Sequence, residues 1–161
     1  MDKRFINIVG NVMGTPNFKG VTWRPSVYAL VKNEQGEFLA MRLGVDGKLC
    51  LPGGGMEIEE SLQECVAREV WEETGYRVEV AADPVYLSEN MFFNERKNSF
   101  HHTLAFFYRG SVRDDSEGGR IFDKEDSVGV EWVNLESARK EDWNQWYWPV
   151  VKKVIDGEIA L

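Results

Sequence analysis

The stretch from Ser61 to Gly75 constrains the fold more than any other part of the chain, because it specifies a helix with both ends marked. Ser61 followed by Glu64 makes a capping box: serine oxygen and glutamate carboxylate each accept from the other's backbone N–H, so helix begins at Leu62. Gly75 stands where the chain leaves the helix through a left-handed residue, a conformation that glycine adopts without a Cβ clash. The helix so bounded runs for about three and a half turns. At about 100° per residue, Leu62, Val66, Ala67, Val70 and Thr74 share one face, which is the core face. Glu69, Glu72 and Glu73 fall beside that face, at i, i+3 and i+4 spacing.

Like charges at this spacing repel, and a solvated face gains nothing from crowding them there. Three carboxylates at the border of core and solvent therefore predict a divalent cation. Oxygen-only ligands suit Mg²⁺, with Mn²⁺ as the alternative, and the absence of a Cys/His cluster argues against zinc. Gly53, Gly54 and Gly55 precede the helix and predict a tight turn, whose N–H groups and bare backbone admit a polyanion closely. Glu57 is near enough in sequence to join the metal ligands. Glu60 and Arg68 read as an ion pair that ties the last carboxylate of the loop to the helix.

From Gly54 to Tyr76 these residues resemble the signature of the Nudix hydrolase family, the MutT-like nucleoside diphosphate-X hydrolases: Gly-x5-Glu-x7-Arg-Glu-U-x-Glu-Glu-x-Gly-U, with U a bulky aliphatic residue. Val70 fills the first U, Tyr76 places an aromatic at the last, and Glu59 replaces the glycine common just before the first signature glutamate. The resemblance implies an α/β/α sandwich around a mixed β-sheet, one domain over residues 1–161, and Mg²⁺-dependent hydrolysis of a nucleoside diphosphate linked to another group. Family members often add a carboxylate from the loop before a Glu-Trp pair. Here Glu131-Trp132 is preceded by Glu125, a candidate for a second metal or for the general base. Glu72, Glu73 and Glu125 remain alternatives as general base, and Arg68 is counted with the catalytic group. Besides Gly53, Gly54 and Gly55, the substrate-binding candidates are Arg24, ahead of the first strand, for phosphate, and Phe92, in an expected loop with Asn90 and Phe93, for stacking on a base.

No subfamily marker is recognised around Phe92 to Asn94. This favours a nucleoside triphosphate, cleaved to monophosphate and pyrophosphate, over ADP-ribose, nucleotide sugars or dinucleoside polyphosphates; Arg24-Pro25 ahead of a strand resembles enzymes that trim RNA 5′ ends, but the glycine loop lacks the glutamine usual in them. The alternative from another class is a sensor that binds nucleotide without cleaving it, against which the intact Glu69, Glu72 and Glu73 argue.

A formal charge of −8 weighs against a broad nucleic-acid surface, since such surfaces neutralise phosphates with Lys and Arg. A small nucleotide held through metal remains compatible. A chain of 161 residues can bury roughly 70% of its unfolded surface in one domain. Cys50 and Cys65 show no CxxC spacing and predict reduced thiols in a cytoplasmic protein, and neither a signal peptide nor a membrane span is expected. Alternation of apolar and polar residues predicts strands over 26–31, 38–43, 77–80 with a continuation at 84–87, 103–112 and 128–133, with 49–51 leading into the glycines. His101 and His102, adjacent on a strand, should face opposite ways. An irregular segment is expected over 1–20, an acidic loop over 114–119, a short helix from Leu135, and an amphipathic helix from Trp143 to Ile155. That aromatic helix is read as core packing, and it also offers a surface for a homodimer.

Overall fold

A computed structural model describes residues 4–14, 18–113, 118 and 127–161. The helix read from its caps is present as α1 (Leu62–Thr74). The Ser61 hydroxyl accepts from the Glu64 N–H at 3.3 Å, and the Glu64 carboxylate accepts from the Ser61 N–H at 2.8 Å. Gly75 closes the helix at φ 73°, its N–H donating to Trp71 O at 2.8 Å.

Among the described residues, the chain also has seven strands, β1 (Val21–Val31), β2 (Phe38–Leu43), β3 (Leu49–Cys50), β4 (Gly53–Gly55), β5 (Val78–Asn94), β6 (Ser99–Val112) and β7 (Ser127–Val133), followed by the helix α2 (Trp148–Ile155). They form a four-stranded sheet in the order β4-β1-β6-β5 and a three-stranded sheet in the order β3-β2-β7. The larger sheet is mixed, because β1 runs parallel to β6 but antiparallel to β4.

Side-chain alternation along β1 divides the core in two. Val27, Ala29 and Val31 pack with Cys65, Val66 and Val70 of α1, whereas Leu30 packs with Val150 and Val151 of α2. A strand that buries both faces needs a helix on each side, which gives the α/β/α sandwich expected from the resemblance.

Three local expectations are corrected. The glycine triplet is a short strand, not only a turn: Gly53, Gly54 and Gly55 pair with Tyr28, Val27 and Ser26. β5 does not stop at Leu87 but continues through Asn90, Phe92 and Phe93, which are therefore strand and not loop residues. Its ladder is irregular on both sides of Pro84, which lacks an N–H and is tolerated because β5 is an edge strand of its sheet. The last helix begins only at Trp148. Asn144, 1% exposed, accepts through its side chain from Trp146 N at 3.0 Å and donates to Ile8 O at 2.8 Å, holding 145–147 in a turn. Pro149 then fits the first helical turn, where its missing N–H would lack a partner anyway.

Candidate active site

Three consecutive glycines make room for three different groups. At Gly53, φ is 144° and a Cβ would lie 2.1 Å from Val27 O, so only glycine lets β4 approach β1. At Gly54 a Cβ would stand 2.6 Å from Glu69 Oε1, and at Gly55 it would stand 2.7 Å from Arg24 Nη2. The bare edge of β4 thus receives a carboxylate from α1 and a guanidinium from β1. The Gly53 N–H donates to Glu73 Oε2 at 2.7 Å, fixing a second carboxylate of the helix at the same edge.

Arg68 organises the other side. It donates to Glu60 through Nε at 2.9 Å and Nη2 at 2.6 Å, to Glu69 Oε1 at 3.0 Å, to Glu72 Oε2 at 3.1 Å and to Gly55 O at 3.3 Å. The Glu60–Arg68 pair expected from sequence is present, and the same arginine reaches the metal-ligand candidates. Its guanidinium holds the Glu60 carboxyl down at about 2, and the surrounding carboxylates raise Arg68 above its ordinary value. Burial pushes Glu69 upward more than Arg68 pulls it down, with the negative charge of Glu72 adding to the rise. Burial, followed by Glu60, pushes the Cys65 thiol up to about 12, which marks it as an inert packing residue.

Glu69 is 14% exposed and Glu72 is 37% exposed, so the helix offers one sheltered and one open carboxylate. Among the described residues, no three carboxylate, imidazole or thiol groups stand close enough as placed to hold a metal ion, and Arg68 lies between Glu69 and Glu72. The donor chemistry still fits a hard divalent cation: all-oxygen ligands, one of them desolvated and raised, beside a backbone edge stripped of side chains. Glu57 is exposed and held through its backbone, its N–H donating to Glu60 Oε1 at 2.8 Å. Glu125 lies outside the described residues.

Arg24 sits within β1 rather than ahead of it, with Nη1 donating to the fully buried Ser26 at 3.2 Å. Phe92 faces Trp146 edge-on at 5.8 Å. Tyr28 was missed by sequence reasoning. Its phenol, raised by burial and sharing a hydrogen bond with Tyr147, feels the charges of Arg24, Glu73 and Glu69. His101 points with Arg24: its Nδ1 lies 2.9 Å from Thr22 Oγ1 and its Nε2 2.8 Å from Ser99 Oγ, and burial, then the Arg24 charge, lowers its pKa. His102 faces the other way, stacked on Trp23 with ring centroids 4.1 Å apart.

Fold and site together define an α/β/α protein that presents a carboxylate-bearing helix across a glycine strand. Residues 22–154 match the NUDIX domain, and the chain belongs to this family of hydrolases. Over 55 residues, 34% of this chain, it is 53% identical to a MutT-like protein of Streptomyces ambofaciens, and the match spans only 36% of that protein. The chain is similar to the MutT protein of Methanosarcina mazei in its crystal structure, with 31% identity, a TM-score of 0.62, and coverage of 85% of this chain and 95% of that one. An ADP-ribose pyrophosphatase from Streptococcus suis shares the fold, at 21% identity and a TM-score of 0.53, covering 71% of this chain and 76% of that one. Family members generally need a divalent metal. Among the described residues, no helix is long and apolar enough to cross a membrane.

Proposed function

We propose that the protein hydrolyses the diphosphate linkage of a nucleoside diphosphate-X compound, with a nucleoside triphosphate as preferred substrate and nucleoside monophosphate and pyrophosphate as products. The observation that carries this reading is the meeting of Glu69 and Glu73 with the glycine edge of β4, where a carboxylate site and a backbone open to polyanions coincide. In this reading Glu69, Glu72 and Glu73 hold the divalent ion, Mg²⁺ or alternatively Mn²⁺, with Glu57 as an accessory ligand. When bound, such an ion lowers the pKa of water and offsets charge on the non-bridging phosphate oxygens.

The chain's own groups do the rest. The Gly53 N–H orients Glu73. Arg68 positions Glu69 and Glu72, anchored by Glu60. Arg24, beside Gly55, takes an outer phosphate, and Gly53, Gly54 and Gly55 let the phosphate chain lie against backbone. One of Glu72, Glu73 and Glu125 accepts the proton of the attacking water as phosphorus–oxygen cleavage proceeds. The fold likeness to an ADP-ribose pyrophosphatase makes ADP-ribose the second substrate to test.

The test is chromatography of products after incubation with Mg²⁺ and a panel of nucleoside triphosphates, ADP-ribose, nucleotide sugars and dinucleoside polyphosphates. Metal-dependent cleavage of one class supports the reading and names the substrate. Binding of nucleotide without cleavage of any of them would overturn it in favour of a sensor.

A further inference from the structure

The sheet face that carries Arg24 extends away from the glutamates as a series of cross-strand rows. Arg24 on β1 is opposite Thr103 on β6, and Thr103 is opposite Asn90 on β5; directly opposed residues place their side chains on the same face. The next row is Ser26, Ala105 and Ser88, and the one after it is Tyr28, Phe107 and Tyr86. In that last row the rings pack, at 5.4 Å for Tyr28–Phe107 and 5.7 Å for Tyr86–Phe107, and the apolar layer beneath α2 begins. The face therefore turns from aromatic to polar within a single step along the strands.

A buried polar patch must be matched by hydrogen bonds. Ser26 receives one from Arg24, and the Asn90 amide donates to Ser88 Oγ at 3.2 Å. Thr103 is the exception: the residue is 6% exposed and its hydroxyl has no partner among the described residues. A valine of the same shape would carry no such penalty, so stability alone does not account for the threonine. The outer end of the polar rows, Ser88 and Asn90 on β5, lines a cavity of about 360 Å³ together with Phe107, Trp146 and Pro149 among others, and Thr103 stands one strand inward of Asn90, outside the lining.

Building on the reading that the substrate is a nucleotide, we propose that Thr103 and Asn90 form the subsite that recognises its base. Arg24, between this pair and the carboxylates, takes phosphate. The Asn90 amide offers a donor and an acceptor side by side, the complement of a nucleobase edge, and the Thr103 hydroxyl can serve either role. The cavity, walled by the Trp146 indole, suits a planar ring.

The test is equilibrium titration of the full chain with the α,β-methylene analogues of ATP, GTP, CTP and UTP, and with inorganic tripolyphosphate, which has no base. Wild type should rank the four bases. Asn90→Ala and Thr103→Val should each weaken binding of the preferred analogue by about tenfold and flatten the ranking, with tripolyphosphate binding unchanged. Thr103→Ser should restore the ranking. Thr103→Val should also raise Tm by about 2–4 °C, since it removes the unpartnered hydroxyl, which shows that the loss of binding is not a loss of fold. An unaltered ranking in both variants, or an equal loss for tripolyphosphate, overturns the subsite. Cleavage of the parent nucleotides separates this outcome from failure of the hydrolase reading: base-selective binding without cleavage keeps the subsite and removes the activity, whereas cleavage with an unaltered ranking does the reverse.

Discussion

Replacing Glu60 by Gln removes the charge that anchors Arg68, and its cost can be worked from the site. The Arg68 guanidinium holds the Glu60 carboxyl at about 2 against an ordinary 4.5. At 1.36 kcal/mol per tenfold change in proton affinity, that difference corresponds to about 3.4 kcal/mol at neutral pH. Glu60 is 13% and Arg68 25% exposed, so the pair lies at the rim and solvent screening reduces the figure to about 2 kcal/mol. A carboxyl held below its unfolded value stabilises the fold above about pH 4.5 and loses that contribution as pH falls toward about 2. Linkage between those two values leaves about three quarters of the effect at pH 4 and about two fifths at pH 3.

The assay is urea denaturation of wild type and Glu60→Gln, followed by circular dichroism at pH 7, 4 and 3. The gap in unfolding free energy should be about 2 kcal/mol at pH 7 and about 0.8 kcal/mol at pH 3. A gap below about 0.5 kcal/mol at pH 7, or one that does not change with pH, would refute the reasoning and reduce the clamp to an ordinary surface pair.

Gly54→Ala places a Cβ 2.6 Å from Glu69 Oε1, without a strained backbone. It should leave far-ultraviolet circular dichroism unchanged and lower kcat on the order of 10²-fold, because a displaced carboxylate no longer meets its partners. Gly53→Ala should do worse, with a Cβ 2.1 Å from Val27 O at φ 144°: loss of both activity and several degrees of Tm by calorimetry. Both cysteines are buried, and the Cys65 thiol is pushed up to about 12, so a thiol reagent at pH 8 should modify neither in the native protein and both in guanidinium.

Local chemistry makes α1 legible in the sequence: a serine, a glutamate and a glycine fix its ends, and the 3.6-residue period fixes which glutamates gather. The Glu60–Arg68 pair is legible for the same reason, since both members lie on or next to that helix. What depends on strand pairing is not. Three glycines read locally as a turn, and only their register with Tyr28, Val27 and Ser26 makes them a strand that the Val27 backbone, the Glu69 carboxylate and the Arg24 guanidinium approach closely. Asn90 and Phe92 read as loop because β5 alternates polar residues toward a face that is partly open, and Arg24 reads as preceding a strand that in fact begins three residues before it. The row of Arg24, Thr103 and Asn90 joins residues 13 to 79 positions apart and exists only through the pairing of β1, β6 and β5. The helix expected from Trp143 starts late because the Asn144 side chain turns the backbone, accepting from Trp146 N two residues on while Ile8 O, from across the fold, holds its amide in place.

The central claim is that the glutamates of α1 carry metal-dependent hydrolysis, and Glu72 tests it most directly because it is the more exposed of the two helix carboxylates that Arg68 holds, so its replacement disturbs folding less. The measurement is kcat for the preferred nucleotide in wild type and Glu72→Gln across a Mg²⁺ titration, with circular dichroism to verify the fold. The account predicts a loss on the order of 10³, about 4 kcal/mol of transition-state stabilisation, that added Mg²⁺ does not recover. Activity within a few fold of wild type at the same Mg²⁺ concentration would contradict it.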